Sequence, residues 1–461
     1  MEQQETRKEN KMGVQPIGKL LFSMSLPMII SMLIQALYNV VDSMYVARIS
    51  ENALTAVSLV FPMQSLMISV ATGTGVGINA LLSRNLGAKR FKEANHVARH
   101  AIFLAACSFV VVALIMFFAA KPFMAVQTSN PEIFEGGVIY MRICCCVSIG
   151  LFGAVTMERL LTSTGMTMLT MITQTTGAVF NIIMDPVLIF GLGPFPEMGI
   201  AGAALATVMG QCIGALLGIY FNVTKNKEIS LKMKGFKPDG MLIGEIYRIA
   251  VPSIIMASIG SVMTFGFNMI LMQYLKNSTA AAVFGVYFKL QSMIMMPLFG
   301  LNNGMVPIIA FNYGARHHGR IMRTYKLSLI TAFCFMAVGI SAMWIIPDKL
   351  LALFNASENM MGIGIPALRI ISLSYIFAGF CIITGSVMQA LGRAFYSMIN
   401  SITRQLVFLL PSAFILAWLF RETGGLPQVW YSYDIAEISS FLVTAYFFRK
   451  VYKEVIAPLP E

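Results

Sequence analysis

Three acidic residues lie well inside apolar stretches of this chain: Asp42, Glu158 and Asp185. A charged group at the centre of a hydrocarbon layer costs at least about 2.5–3.5 kcal/mol, so it normally faces a protein interior and has a task. Asn181 stands one helical turn before Asp185 and shares its face; Tyr38 has the same relation to Asp42. Thr207 sits in the small-residue run GIAGAALAT. Counted from the ends of their apolar stretches, Asp42 and Asp185 both lie about six residues, or ~9 Å, below the same surface, and Thr207 about eight residues below it. These four residues are expected to converge at one level. Two carboxylates with an amide and a hydroxyl suit a hard monovalent cation such as Na⁺. They equally suit a proton shared between the two carboxylates. Glu158 lies nearer the opposite surface. Arg159 follows it and points about 100° away on a helix. For Glu158 an ion pair with a neighbouring helix and a role in transport both stay open.

The elements that position these residues are expected to be transmembrane helices. The chain has 461 residues, 57% of them hydrophobic and 12% charged. A soluble domain carries roughly twice that charged share. Apolar runs such as 54–82 and 101–120 can each cross a hydrocarbon core of roughly 30 Å, and they lack the alternation of barrel strands. Twelve spans are expected, at about 18–47, 53–81, 96–120, 137–163, 167–191, 199–222, 243–274, 280–307, 321–346, 363–390, 394–420 and 429–448. Prolines at 27, 62, 186, 252, 297, 307, 366 and 411, with Gly73, Gly75 and Gly77, are placed to kink them. Asp434 and Glu437, at the start of the last span, read as interfacial. The first 20 residues are polar, and no cleavable signal peptide is expected. Cys144, Cys145 and Cys146 are consecutive and fit no disulfide or metal pattern; they read as small lipid- or core-facing residues.

Charge orients the bundle. Basic residues crowd the tail before span 1 and all but one of the alternate connections after it: Arg7 to Lys19, Arg84 to Arg99, Lys225 to Arg248, Arg316 to Lys326, Arg393 and Arg449 to Lys453. The other connections hold Arg48, Lys121, Lys276, Lys349 and Arg421. The positive-inside rule then places both termini in the cytoplasm and requires an even number of spans. The net charge of +12 is read this way, and no nucleic acid partner is implied.

The two halves resemble each other when one is slid along the other by a nearly constant shift in numbering. Pro27 meets Pro252, Gln64 meets Gln291, Gly77 meets Gly304, NLGAKR (85–90) meets NYGARH (312–317), Gly165 meets Gly392 and Pro186 meets Pro411. The fold class that follows is an all-α integral membrane protein of twelve transmembrane helices in two pseudo-symmetric six-helix lobes. Its expected divisions are a cytoplasmic tail (1–17), a first lobe of helices 1–6 (18–224), a cytoplasmic linker (225–242), a second lobe of helices 7–12 (243–448) and a second cytoplasmic tail (449–461). Parallel repeats place a substrate path at the lobe interface. The match is unequal in charge: Asp42 pairs near Phe267 and Asp185 with Leu410, so ion coupling is expected in the first lobe alone. Lys289 is the conspicuous charge of the second lobe; it either faces the cavity or snorkels. With Tyr38, Glu158, Gln64 and Gln291 it is a candidate for substrate or coupling contacts. His317 and His318 read as solvated. The 35 Met and 33 Phe supply flexible apolar walls that tolerate varied ligands, although most must simply pack or face lipid.

No Walker A, HExxH, GxSxG or kinase pattern occurs, so neither ATP drive within the chain nor an enzyme is expected. No cofactor is expected beyond a coupling ion.

SLPMIISMLIQALYNVVDSMYVARI, GINALLSRNLGAKR and NIIMDPVLIFG with GIAGAALAT resemble the MATE (multidrug and toxic compound extrusion) transporters over essentially the whole chain. YFKLQSMIMMPLFGLNNGMVPIIAFNYGAR looks like the DinF-like branch. The resemblance implies a V-shaped pair of bundles that alternates between outward- and inward-open states. It implies a secondary active antiporter that exports organic, often cationic, compounds against H⁺ or Na⁺ entry. It implies that Asp42, Asn181, Asp185 and Thr207 form the cation site, and Glu158 matches an acid of some multidrug members. The setting implied is the plasma membrane of a prokaryote, with a monomer among its lipids. A flippase for lipid-linked saccharides is the runner-up, but it calls for a more cationic cavity than Lys289, Arg159 and Arg369 offer. A channel or receptor is the third class.

Overall fold

A computed structural model describes residues 9–354, 356–420 and 426–460. Arg7, Lys8 and Arg421 of the charge pattern lie outside the described residues. Twelve helical spans follow in order: α1 (Ile17–Ala47), α2 (Glu51–Gly87), α3 (Phe91–Gln127), α4 in two segments (Pro131–Cys146 and Ile149–Ser163), α5 (Thr167–Phe190), α6 (Gly199–Thr224), α7 (Gly240–Tyr274), α8 (Ser278–Gly314), α9 (His318–Ile345), α10 in two segments (Glu358–Leu373 and Tyr375–Ala390), α11 (Ala394–Leu419) and α12 (Ser432–Val451). Among the described residues nine helices are long and apolar enough to cross a bilayer, and the two bent pairs bring the number to eleven. The twelfth, α12, carries Asp434 in its first turn and Arg449 and Lys450 in its last. Helices are the natural choice in lipid, because each satisfies its own backbone polar groups.

The helices run further than the apolar runs suggest. α2 continues to Gly87 and α8 to Gly314, while α3 begins at Phe91 and α9 at His318. The polar residues 82–95 and 308–320 are therefore mostly helix ends rather than loop. A helix needs no apolar side chains once it has left the hydrocarbon.

The repeat is written into the backbone. Ser50 and Asn277 cap α2 and α8 by accepting from Ala53 and Ala280 N–H, at 3.0 and 2.9 Å. Asn130 and Ser357 cap α4 and α10. α4 bends by 41° and α10 by 45° at matched breaks that sequence did not foresee. Lys89 and Arg316 both adopt positive φ, at 58° and 60°, where each motif turns, and Gly165 and Gly392 do so at 88° and 77°. Each of these pairs keeps the register that joins Gly77 to Gly304 in the sequence. Glycine suits such left-handed positions because it has no Cβ.

The lobes meet through α1 on α8 and α2 on α7 and α8. Glycine brings the backbones together. A Cβ at Gly73 would lie 2.5 Å from Ile254, and one at Gly300 would lie 2.6 Å from Ile29. Gly77 approaches the Ile246 carbonyl as Gly304 approaches Ser25. Gly87 lies against the Phe311 carbonyl and Gly314 against that of Arg84. All six contacts fall in the half of the helices that carries the 87–91 and 314–318 turns.

The segment before α1 is more than the tail expected from its polarity. Met12 is fully buried. Asn10 donates to the Thr164 carbonyl at 3.1 Å and to Glu228 at 3.2 Å on the first-lobe side. On the second-lobe side the Met12 carbonyl accepts from Asn312 at 3.1 Å and from Arg320 at 2.9 Å, and Arg320 also reaches the Gln15 carbonyl. The segment bridges both lobes where they touch.

Candidate functional site

Helices α1, α5 and α6 pack tightly on one another inside the first lobe. Their approach depends on small residues: Gly177 of α5 and Gly210 of α6 touch backbone to backbone. One turn beyond this contact stands Asn181, and a further turn on stands Asp185, which is fully buried. Asn181 Nδ2 lies 3.3 Å from Asp185 Oδ1 and 3.4 Å from Thr207 Oγ1. Turning the amide over improves both ends: Nδ2 then donates to Asp185 Oδ2 at 3.0 Å, and the amide oxygen accepts from the Thr207 backbone N–H at 3.0 Å. Asp42 of α1 completes the group. Its carboxyl lies within hydrogen-bonding reach of Asp185, and its Oδ1 is buried without a partner. Tyr38, one turn away, places its hydroxyl beside Thr207.

The geometry therefore brings together the four residues grouped by depth, with Tyr38. It also adds two neighbours that sequence reasoning missed, Tyr140 and Cys144, and brings the candidate Gln64 to them. Tyr140 and Cys144, one turn apart on α4, lie beside Asp42, and Gln64 of α2 reaches both. A polar pair spaced one turn apart, Tyr140 with Cys144 inside an apolar span, was the available signal. The arrangement offers two adjacent carboxylates, an amide, hydroxyls and one buried unpartnered oxygen. Burying two carboxylates together demands a compensating positive charge, either a proton on one of them or a bound cation.

Glu158 belongs to a separate cluster. Its Oε2 accepts from Gln174 Nε2 at 2.7 Å, and Gln174 also bonds Ser31 of α1. Among the described residues it has no ion-pair partner. Arg159 reaches across to the second lobe. Its side chain lies over Gly75 and donates from Nη1 to Asn303 Oδ1 of α8 at 2.9 Å. Lys289 stands apart from these groups. It is exposed on α8, with its ammonium 5.8 Å from the centre of the Phe354 ring. Gln291 is half-buried on the same helix and outside the first-lobe cluster.

The matched place in the second lobe is packed shut. Phe267 is fully buried, with its ring 5.4 Å from Tyr433 and 6.0 Å from Trp430. Leu410 fills the space beside Gly266. The Tyr433 hydroxyl lies 3.9 Å from Met263 Sδ. Glu437 departs from its expected place. It is not interfacial: it is 8% exposed and ion-paired to Arg404 of α11 at 2.8 Å. Counting residues from the start of α12 misjudged it, because α10 and α11 cover that end of the helix.

Two like-oriented bundles, one of them holding Asp42 against the buried Asp185, define a two-lobe membrane transporter rather than an enzyme. The MatE family profile matches residues 27–187 and 252–415, and this chain belongs to that family. It is 24% identical over 429 residues to the multidrug export protein MepA of Staphylococcus aureus (strain NCTC 8325 / PS 47), covering 93% of each chain. To the protein of that name from Staphylococcus haemolyticus (strain JCSC1435) it is 26% identical over 409 residues, covering 88% of this chain and 89% of that one. The fold matches the outward-facing conformation of a multidrug resistance MATE family transporter of the MOP superfamily, with TM-score 0.91, 24% identity and coverage of 98% and 99%. It also matches a MOP superfamily transporter from Pyrococcus furiosus Vc1 (DSM3638), with TM-score 0.90 at the same identity and coverage.

Proposed function

We propose that this protein is a secondary active multidrug exporter, driven by entry of H⁺ or Na⁺ through the first-lobe cluster. The observation that carries the coupling is the meeting of the half-buried Asp42 with the buried Asp185, Asn181 and Thr207. Asp42 is the member on α1, and the others hang from α5 and α6. A proton or Na⁺ taken up between the two carboxylates draws α1 toward α5 and α6; its loss leaves two negative charges pushing α1 away. On the same helix, Ser25 and Ile29 touch α8 of the other lobe, so movement of α1 reaches the lobe interface. Basic connections put the 87–91 and 314–318 turns, and both termini, on the cytoplasmic side. The close glycine contacts then seal the inner half, and the substrate path between the lobes opens outward. The chain acts as a monomer in the plasma membrane of a bacterium, and its cargo is organic and often cationic. The boundaries 18–224 and 243–448 delimit the two lobes, and 225–242 joins them.

The test is ethidium export from proteoliposomes with a pH gradient or a Na⁺ gradient imposed separately. One gradient drives export by the wild type, and Asp185→Asn abolishes the gradient-driven part. Undiminished export in that variant would sink the carboxylate role.

A further inference from the structure

Matched helix pairs in the two lobes hold opposite kinds of contact. Gly177 of α5 and Gly210 of α6 are so close that a Cβ on either would lie 2.8 or 2.7 Å from the other's carbonyl oxygen. The corresponding helices of the second lobe are α11 and α12, which carry Arg404 and Glu437. Here the two helices are joined by a side-chain ion pair, Nη1 to Oε1, at 2.8 Å. A π-helical stretch, Thr403–Leu409, begins beside Arg404, and such a widened turn re-aims a side chain within a helix. Glu437 is 8% exposed, and its second oxygen is buried without a partner. Asp434, one turn earlier, has a buried unpartnered oxygen as well. The other titratable groups facing the pair are Tyr287 of α8, Cys381 of α10 and Tyr433 of α12. None of these can supply positive charge. Among the described residues, Arg404 is the cation recorded against this carboxylate.

A guanidinium keeps its proton in proteins, and a buried carboxylate stays ionised only while it is paired. We propose that Arg404 is a built-in counter-ion: a tethered cation that does permanently for Glu437 what an exchangeable ion does for Asp42 and Asp185, so that Glu437 takes up and releases no ion during transport. The inference rests on the reading that the first lobe holds the coupling ion. It extends that reading by assigning Arg404 and Glu437 a positioning role that keeps the coupling asymmetric.

Without Arg404, Glu437 must be neutralised by something that can leave. The full-length protein is purified in Na⁺-free choline buffer at neutral pH, and infrared difference spectra are recorded against the wild type. Arg404→Met adds a protonated-carboxyl band worth one group. Arg404→Lys, which keeps a cation, adds none, and Arg404→Met with Glu437→Gln removes the band again. A folded Arg404→Met protein with no added band overturns the proposal. Should that variant not fold, the double variant carries the test, because it deletes both charges and leaves no carboxylate uncompensated. It is expected to export ethidium with the wild-type number of coupling ions per substrate. A folded double variant that loses gradient-driven export overturns the proposal, since Glu437 would then itself be exchanging an ion. The Asp185→Asn result stands apart: its failure would leave the infrared band untouched.

Discussion

The glycine contacts between the lobes make a quantitative test of alternating access. A Cβ at Gly87 would lie 1.8 Å from the Phe311 carbonyl oxygen, whereas ordinary contact begins at 3.4 Å. Gly87→Ala therefore has little more than half the separation it needs. The obstructing atom is backbone, at a point where α8 is packed from both sides, so no rotamer change relieves it. Overpacking of this kind costs typically about 1–3 kcal/mol. The contact lies between lobes and not within one. Its cost falls only on the state in which the inner halves are closed, and each lobe keeps its own core. A bias of about 1–3 kcal/mol shifts a two-state equilibrium roughly 5–150-fold. Gly87→Ala should thus favour the inward-open state by that factor, and Gly314→Ala, at 1.9 Å from the Arg84 carbonyl oxygen, should match it. The assay is spin-label distance measurement between the inner ends of α2 and α8 in nanodiscs. An unchanged distance distribution in a folded Gly87→Ala protein would refute the claim that this contact belongs to one state.

Other perturbations reach the same closure or its surroundings. Arg159→Met removes a charged hydrogen bond to Asn303, worth about 1.5–3 kcal/mol, and should shift the same distances in the same direction; no shift would mean that the bond persists in both states. Arg320→Gln loses the donors to the Met12 and Gln15 carbonyls, so trypsin should cut after Lys11 several-fold faster, and an equal rate would show that the segment is held by other means. Asp239 caps α7 by accepting from the Met241 and Leu242 N–H groups, and these bonds, with His96 nearby, hold its carboxyl below its usual range. A lowered carboxyl stabilises the fold at neutral pH, and that contribution disappears as pH falls through the lowered value. The melting gap between wild type and Asp239→Ala should accordingly persist through mildly acidic pH and close only below the ordinary carboxylate range of about 4. A gap that closes well above that range would show that the capping bonds of Asp239 do not set it.

Much of this protein was legible in its sequence. Hydrocarbon thickness sets a minimum apolar length, so the spans could be counted, and basic residues could be assigned to alternating connections. Helical pitch places residues in depth, so Asp42, Asn181, Asp185 and Thr207 could be grouped before any fold was known. A fixed shift in numbering between the halves revealed two lobes, because each repeated glycine or proline solves the same backbone problem twice. Depth and face are properties of a single helix, and they are where sequence reasoning stops. Which helices touch is decided between them. The tertiary structure alone set Tyr140, Cys144 and Gln64 beside Asp42, sent Arg159 across to Asn303 and buried Met12 between the lobes. It also turned Glu437 from an apparent surface acid into the partner of Arg404. The physical reason is the same in each case: burial of a side chain depends on the neighbours that cover it, and those neighbours lie far away in the chain.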